Sequence, residues 1–193
     1  SLLIAAQMKG DHETQTVHVR CNGPLRGMTS VCDANGHVRG YCLAPVLSNT
    51  YDTAGRLKLS PAVGDGTLTV VRDLGLKKPY TGTVRLVSGE IAADFAYYLA
   101  ASEQTRSIMS LGVLLGQNGV TCAGGLFVAL MPGAGDKEID FLEKRLSENF
   151  PDVSFLLDKQ MTPDDIIRLF LSDRDSKILD RRPIAYQCTC SRE

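Results

Sequence analysis

The sequence predicts a fold that mixes strands and helices, and three observations carry that expectation. Strand-like alternation fills most of the first two thirds, one helical stretch interrupts it, and two amphipathic helices follow a Pro-Gly break, so strands and helices are largely segregated along the chain. The apolar run Leu2-Leu3-Ile4-Ala5-Ala6 leads into Gly10 and reads as the last turns of a helix. It has no basic lead or cleavage site, so it does not read as a secretory signal. Residues 14–21 alternate and place Val17, Val19 and Cys21 on one face of a strand. Segments 28–32 and 37–42 flank Asp33-Ala34-Asn35-Gly36, a strong hairpin signal. A short strand is expected at 57–59, followed by the turn Gly64-Asp65-Gly66 and strands at 67–72 and 82–87. Residues 90–102 have helical spacing, with Ile91, Phe95, Tyr98 and Leu99 on one face and Ser88 as N-cap. Strands at 108–115 and 121–131 follow, joined at Gln117-Asn118-Gly119. Their small residues Gly112, Gly124 and Gly125 predict an element packed closely over the sheet.

The composition breaks at Pro132-Gly133-Ala134-Gly135. Residues 136–149 then form an amphipathic helix with Ile139, Leu142 and Leu146 on one face. Thr162-Pro163-Asp164-Asp165 starts another, with a hydroxyl cap, Pro in the first turn and two acids over the positive dipole end. That helix presents Ile166, Ile167, Phe170 and Leu171. Amphipathic helices ordinarily dock on their own core, yet these lie between the strand-rich part and the terminal cysteines and are placed to expose apolar surface if docking is conditional.

The 193 residues are 44% hydrophobic, enough for one sizeable globular domain plus an appendage. A formal net charge of -1 supplies no global basic field for nucleic acid or anionic membrane, and no apolar run reaches the ~20 residues of a membrane span. His12, His18 and His37 fall in no metal-ligand spacing. Of six cysteines, Cys21, Cys32, Cys42 and Cys122 sit singly in strand segments and read as small packing residues in a reducing compartment.

Cys188-Thr189-Cys190 is the one constellation with clear chemistry. In extended chain these residues lie on one face about 6.6 Å apart. Their sulfurs can lean together to the spacing of a tetrahedral site with Zn–S near about 2.3 Å, but two thiolates make half of such a site. A disulfide across the pair closes a small, strained and readily reduced ring. Spacing alone also fits two surface cysteines near a chain end. Other candidates resolve plainly. Gly64-Asp65-Gly66 precedes a strand, not the helix N-terminus that a phosphate loop needs. Cys122 has no evident base, and helix capping accounts for Asp164-Asp165. Arg181-Arg182 reads as a solvated turn that would favour a nearby thiolate.

Several long segments resemble a known family. Gly23-Pro24-Leu25, Asp33-Ala34-Asn35-Gly36-His37-Val38-Arg39-Gly40-Tyr41, and the runs Gly64 to Leu76, Val87 to Leu99 with Ser102-Glu103-Gln104, Ala123 to Gly133, and Cys188 to Glu193 are similar to the heat shock protein 33 family of redox-regulated holdase chaperones. The resemblance implies an α+β fold: a layered β-sheet core with packed helices over 1–132, a helical linker over 133–182, and the start of a zinc-binding redox domain over 183–193. It implies zinc held by Cys-X-Cys followed later by Cys-X-X-Cys. Oxidation would form disulfides, release zinc, unfold that domain and the linker, and expose surface that binds unfolding proteins without ATP, with dimerisation on activation.

Residue by residue, only Cys188 and Cys190 carry over as metal ligands and redox cysteines. Client binding is expected to draw on Ile139, Leu142, Leu146, Ile166, Phe170 and Leu171. The second cysteine pair and a helical N-terminal segment are not in these 193 residues, so the chain is expected to be part of a longer protein. It is expected not to be an enzyme, to bind no nucleic acid or membrane, and to be cytoplasmic or, as the alternative, organellar. The runner-up is a structural zinc-ribbon-type interaction or nucleic-acid module.

Overall fold

The alternation at 14–21 produces a strand with Val17 and Val19 buried on one face, and it sits at the heart of a larger sheet. The computed structural model describes residues 1–8, 10–45, 57–117, 119–172 and 174–188. In chain order the elements are α1 (Leu2–Ala5), β1 (Thr14–Cys21), β2 (Gly27–Asp33), β3 (His37–Cys42), α2 (Ser60–Val63), β4 (Gly66–Asp73), β5 (Tyr80–Arg85), α3 (Ile91–Glu103), β6 (Ser107–Gly116), β7 (Gly119–Ala129), α4 (Asp136–Lys144), a π-helical turn (Arg145–Asn149), α5 (Val153–Asp158), α6 (Pro163–Phe170) and β8 (Ala185–Tyr186). They form two compact units, one of Ser1–Thr50, Leu59–Gly89 and Arg181–Glu193, the other of Tyr51–Lys58 and Glu90–Asp180. This is the expected α+β fold.

The first unit is a six-stranded sheet of order β5-β4-β1-β2-β3-β8. Its first five strands pair antiparallel, and β8 adds parallel to β3. The β2–β3 hairpin forms because Asp33 organises the turn. Its carboxylate accepts the backbone N–H groups of Asn35 at 2.9 Å and His37 at 3.0 Å, and pairs with His37 Nδ1 at 2.9 Å. Burial pulls the Asp33 carboxyl up, but the hydrogen bonds from His37 and Asn35 outweigh it and hold the group below the usual carboxylate range. α1 packs on β2, where Ala5, Met8 and Cys32 share a small cluster. Gln15 is fully buried, yet its side-chain oxygen accepts from Arg72 Nε at 3.1 Å and its amide donates to Ser1 O.

Two expectations need correction. Leu57 makes only an isolated bridge, and the chain then turns into α2, whose first turn holds Pro61. Cys42 is exposed and Cys21 only partly buried, so only Cys32 is a fully packed thiol here. Cys42 ends β3, past the last β8 pair, where the described residues bring no further strand over it.

The second unit is the β6–β7 hairpin with helices. α3 packs against β6 and begins after Glu90, not Ser88, because Gly89 has φ +73 and cannot continue a helix. The strands pair from Ser107↔Ala129 to Gly116↔Gly119 with one register shift at Leu114/Leu115. The expected helix 136–149 is α4 running into the π-helical turn. α6 starts as the sequence predicts. Thr162 is its N-cap, accepting from Asp165 N at 3.2 Å while the Asp165 carboxylate takes Thr162 N–H at 3.0 Å. Contacts thus group the β6–β7 hairpin with the helices beyond Pro132 because their apolar faces meet, whereas the segments 1–132, 133–182 and 183–193 implied by the resemblance follow chain order.

Candidate functional site

All six apolar residues expected to contribute to client binding converge. Ile139 and Leu142 of α4 and Ile166 and Phe170 of α6 are buried in one cluster with Ile108 of β6, Leu126 of β7, and Val153 and Leu156 of α5. Leu146 and Leu171 are partly buried against it. Phe170 is 1% exposed and meets Phe150 edge-on, with ring centroids 5.0 Å apart. At its far end α6 is held by Arg145, whose guanidinium donates to Phe170 O at 3.2 Å, Leu169 O at 3.0 Å and Ser172 Oγ at 2.5 Å. A cation at a helix C-terminus meets the negative end of the dipole and its orphan carbonyls together.

The glycines of the hairpin let α5 approach. A Cβ at Gly112 would lie 2.7 Å from Ser154 N, and one at Gly124 would lie 2.5 Å from Leu157 Cδ1. The close packing expected over these strands is therefore real at both positions, and the packed element is α5. Cys122 donates its thiol to Ser154 O at 3.2 Å, so it ties strand to helix. Sequence reasoning missed α5. Val153-Ser154-Phe155-Leu156-Leu157 is a short apolar run that periodicity cannot assign, although Pro151-Asp152 ahead of it is a usable start signal. On the other face of β6, Leu111, Val113 and Leu115 are exposed.

The cysteine candidates lie in the other unit. Cys188 is exposed, two residues beyond β8, and Cys190 lies outside the described residues. The segment before Cys188 is hydrogen-bonded along β3: Ala185 N–H donates to Gly36 O at 3.1 Å and Gln187 N–H to Val38 O at 2.9 Å. Arg182 Nη1 donates to Ala34 O at 3.3 Å, which places this arginine on the β2–β3 turn. Among the described residues no group of three His, Cys, Asp or Glu converges on a metal position. Thiols are the right donors for zinc, and Cys188 with Cys190 would supply two of the four that a structural site takes. Burial pushes the Cys32 thiol up, away from the reactive thiolate.

This arrangement, an antiparallel sheet unit and a hairpin roofed by helices, is also that of the 33 kDa chaperonin (heat shock protein 33 homolog) of Thermotoga maritima. That crystal structure aligns with a TM-score of 0.87 at 34% identity, over 98% of this chain and 64% of the other. The class is thus that of the 33 kDa chaperonins. The family model described as Hsp33 protein matches residues 1–193, and the chain belongs to that family. It is 44% identical over 194 residues to the 33 kDa chaperonin of Desulforamulus reducens and 44% identical over 192 residues to that of Symbiobacterium thermophilum. It covers 100% and 99% of itself in these alignments, and spans 65% of the length of each relative.

Proposed function

We propose that this chain is the greater part of a redox-regulated, ATP-independent holdase, in which cysteine oxidation at the tail frees α4, α5 and α6 to bind unfolding proteins. One observation carries the reading: Ile139, Leu142, Ile166 and Phe170 are buried against Ile108 and Leu126 in a single cluster. Undocking the helices would uncover both halves of that cluster at once, apolar helix faces and apolar sheet face, which is a client surface of useful size. Each such large side chain contributes about 1.5–3 kcal/mol when buried, so a modest change in docking alters exposure strongly.

The division of labour proposed is a core over 1–132, a linker over 133–182 and the start of a redox domain at 183–193. Cys188 and Cys190 are proposed as redox cysteines and as two ligands of a zinc ion in the whole protein. Zinc, when bound, would hold the sulfurs as thiolates and lend its binding energy to folding of the tail. Oxidation by a peroxide balances simply. One thiolate attacks an oxygen and becomes a sulfenic acid as the O–O bond breaks and hydroxide leaves, and the second thiol displaces that oxygen as water to form the disulfide. Oxidised sulfurs no longer serve as ligands, so the folding energy they held is lost.

The partners proposed are unfolded proteins and, on activation, a second copy. A net charge of -1 argues against nucleic acid as a partner and disfavours the zinc-ribbon alternative. We assign no catalytic role. No helix among the described residues is long and apolar enough to cross a membrane, and cytoplasmic residence is proposed. The test is light scattering as a chemically denatured protein is diluted into buffer with the full-length protein, reduced or peroxide-treated. Suppression of scattering only after peroxide supports the reading. Equal scattering in both states, with the protein folded, overturns it.

A further inference from the structure

We propose that the outer edge of β3 is a strand-addition site for extended segments of unfolding polypeptide, and that β8 is its resident, displaceable occupant. The proposal rests on the holdase reading and adds a second, main-chain mode of client capture.

A sheet edge presents unpaired N–H and C=O groups, and natural edges are blunted by charges, proline or bulges. β5, at one end of this sheet, is preceded by Lys77-Lys78-Pro79. β3 is more lightly protected: His37-Val38-Arg39-Gly40-Tyr41-Cys42 carries the one charge of Arg39 but holds no proline, and its register with β2 runs unbroken from Met28↔Cys42 to Cys32↔Val38. What covers the edge is β8.

The cover is slight. β8 is two residues long and parallel, the weaker pairing per residue. Its amide bonds reach Gly36 O and Val38 O, while Gly40 O, next in the outward series, is met by the Tyr186 hydroxyl at 3.4 Å. Ile184 and Tyr186 are 69% and 70% exposed, so the strand buries little of its own side chains. β3 also outlasts it: among the described residues Gly40, Tyr41 and Cys42 run on exposed, followed by exposed Leu43. A strand held this lightly, two residues ahead of Cys188, is the first element that a change at the cysteines would pull away.

The geometry favours an extended client over a second copy. The strand seen on this edge, β8, pairs in the parallel sense, whereas two copies joined through β3 about a twofold axis would pair antiparallel. Main-chain pairing is tolerant of sequence, as capture of varied unfolded chains requires, and Tyr41 and Leu43 offer apolar contact beside it.

The test uses the full-length protein, reduced, with Ala185→Pro and Gln187→Pro together. These remove the two donating N–H groups and leave β3 intact. The probes are a fluorescent octapeptide of alternating valine and threonine flanked by lysines, and the same peptide N-methylated at every valine and threonine so that neither of its edges can donate, read by anisotropy. Apparent affinity scales with the open fraction, so if β8 leaves the edge open about a tenth of the time, freeing it tightens binding of the unmethylated peptide about tenfold. That gain, with no binding of the methylated peptide, supports the proposal. Equal binding of both peptides, no gain over the unchanged protein, or dimerisation of the variant without peptide uptake overturns it. Circular dichroism checks folding, and Gln187→Pro alone gives the same comparison with a smaller gain expected. If the peroxide-treated unchanged protein suppresses aggregation while the peptide test fails, the edge proposal falls and the holdase reading stands. If it suppresses none, the holdase reading itself falls.

Discussion

Gly112→Ala should undock α5 with the least possible change in chemistry. The added methyl would lie 2.7 Å from Ser154 N and 2.9 Å from Ser154 Cβ and Oγ. Ordinary carbon contacts need about 3.5–4.0 Å, so the helix must rise by roughly 1 Å. Overpacking of this kind costs about 1–3 kcal/mol. Because β6 stays folded whether or not the helix is docked, no change in unfolded-chain entropy offsets that cost in the docking equilibrium. At about 2 kcal/mol the undocked population rises about 30-fold. Gly124→Ala is the matched control. Its methyl meets Leu157 Cδ1, the tip of a flexible side chain, and a rotamer adjustment of about 0.5–1.5 kcal/mol relieves it. The assay is amide hydrogen exchange over 153–158 together with aggregation suppression by the reduced protein. Gly112→Ala should exchange faster and act as a partly constitutive holdase, with Gly124→Ala close to the unchanged protein. Equal exchange in the two variants would refute the packing argument. Faster exchange without any holdase activity would refute its link to function.

Arg145→Ala should loosen α6, since three donated hydrogen bonds to Leu169, Phe170 and Ser172 are lost at a helix C-terminus; the cost is about 1–2 kcal/mol, read as faster exchange over 163–170, and Arg145→Lys should restore less than half because a point charge cannot fork. Acid should release the same helix from its other end. The side-chain hydrogen bond from Thr162, then the Thr162 backbone N–H, hold the Asp165 carboxyl below its ordinary value. Its contribution is therefore complete above the unfolded value of about 3.9 and is lost as pH falls through the folded one. Protection of α6, taken relative to the intrinsic exchange rate at each pH, should fall below about pH 4, and Asp165→Asn should flatten that dependence. Replacing Cys21, Cys32, Cys42 or Cys122 singly with Ala should leave peroxide activation of the folded full-length protein intact; loss of activation without loss of folding at any of them would bring it into the switch.

The parts of this molecule legible in its sequence are those where a local rule and the tertiary contacts agree. Thr162-Pro163-Asp164-Asp165 announces α6 because cap, proline and acids all act within one turn. Asn35-Gly36 between alternating runs announces the β2–β3 hairpin for the same reason, and Gly112 and Gly124 announce a close neighbour. The neighbour itself, α5, was not legible, since a run of five apolar residues becomes a helix only by lying on the hairpin. β8 was less legible still: Ala185-Tyr186 has no pattern of its own and is a strand only because β3 offers an edge. Ser88 misleads as a cap because the positive φ of Gly89 delays the helix, a backbone fact that composition does not carry. Of the candidate site, the apolar helix residues were legible from their period, whereas their shared cluster with Ile108 and Leu126 needed the fold.

The central claim is that the redox state of Cys188 and Cys190 governs docking of α4, α5 and α6. Amide hydrogen exchange on the full-length protein, reduced and peroxide-treated, tests it directly when run beside a Cys188→Ser, Cys190→Ser variant. The account predicts slow exchange over 136–170 in the reduced protein and fast exchange after peroxide, while exchange in the variant does not respond to peroxide. Helices that stay protected in the oxidised protein while it suppresses aggregation, or a variant that still opens with peroxide, would contradict it.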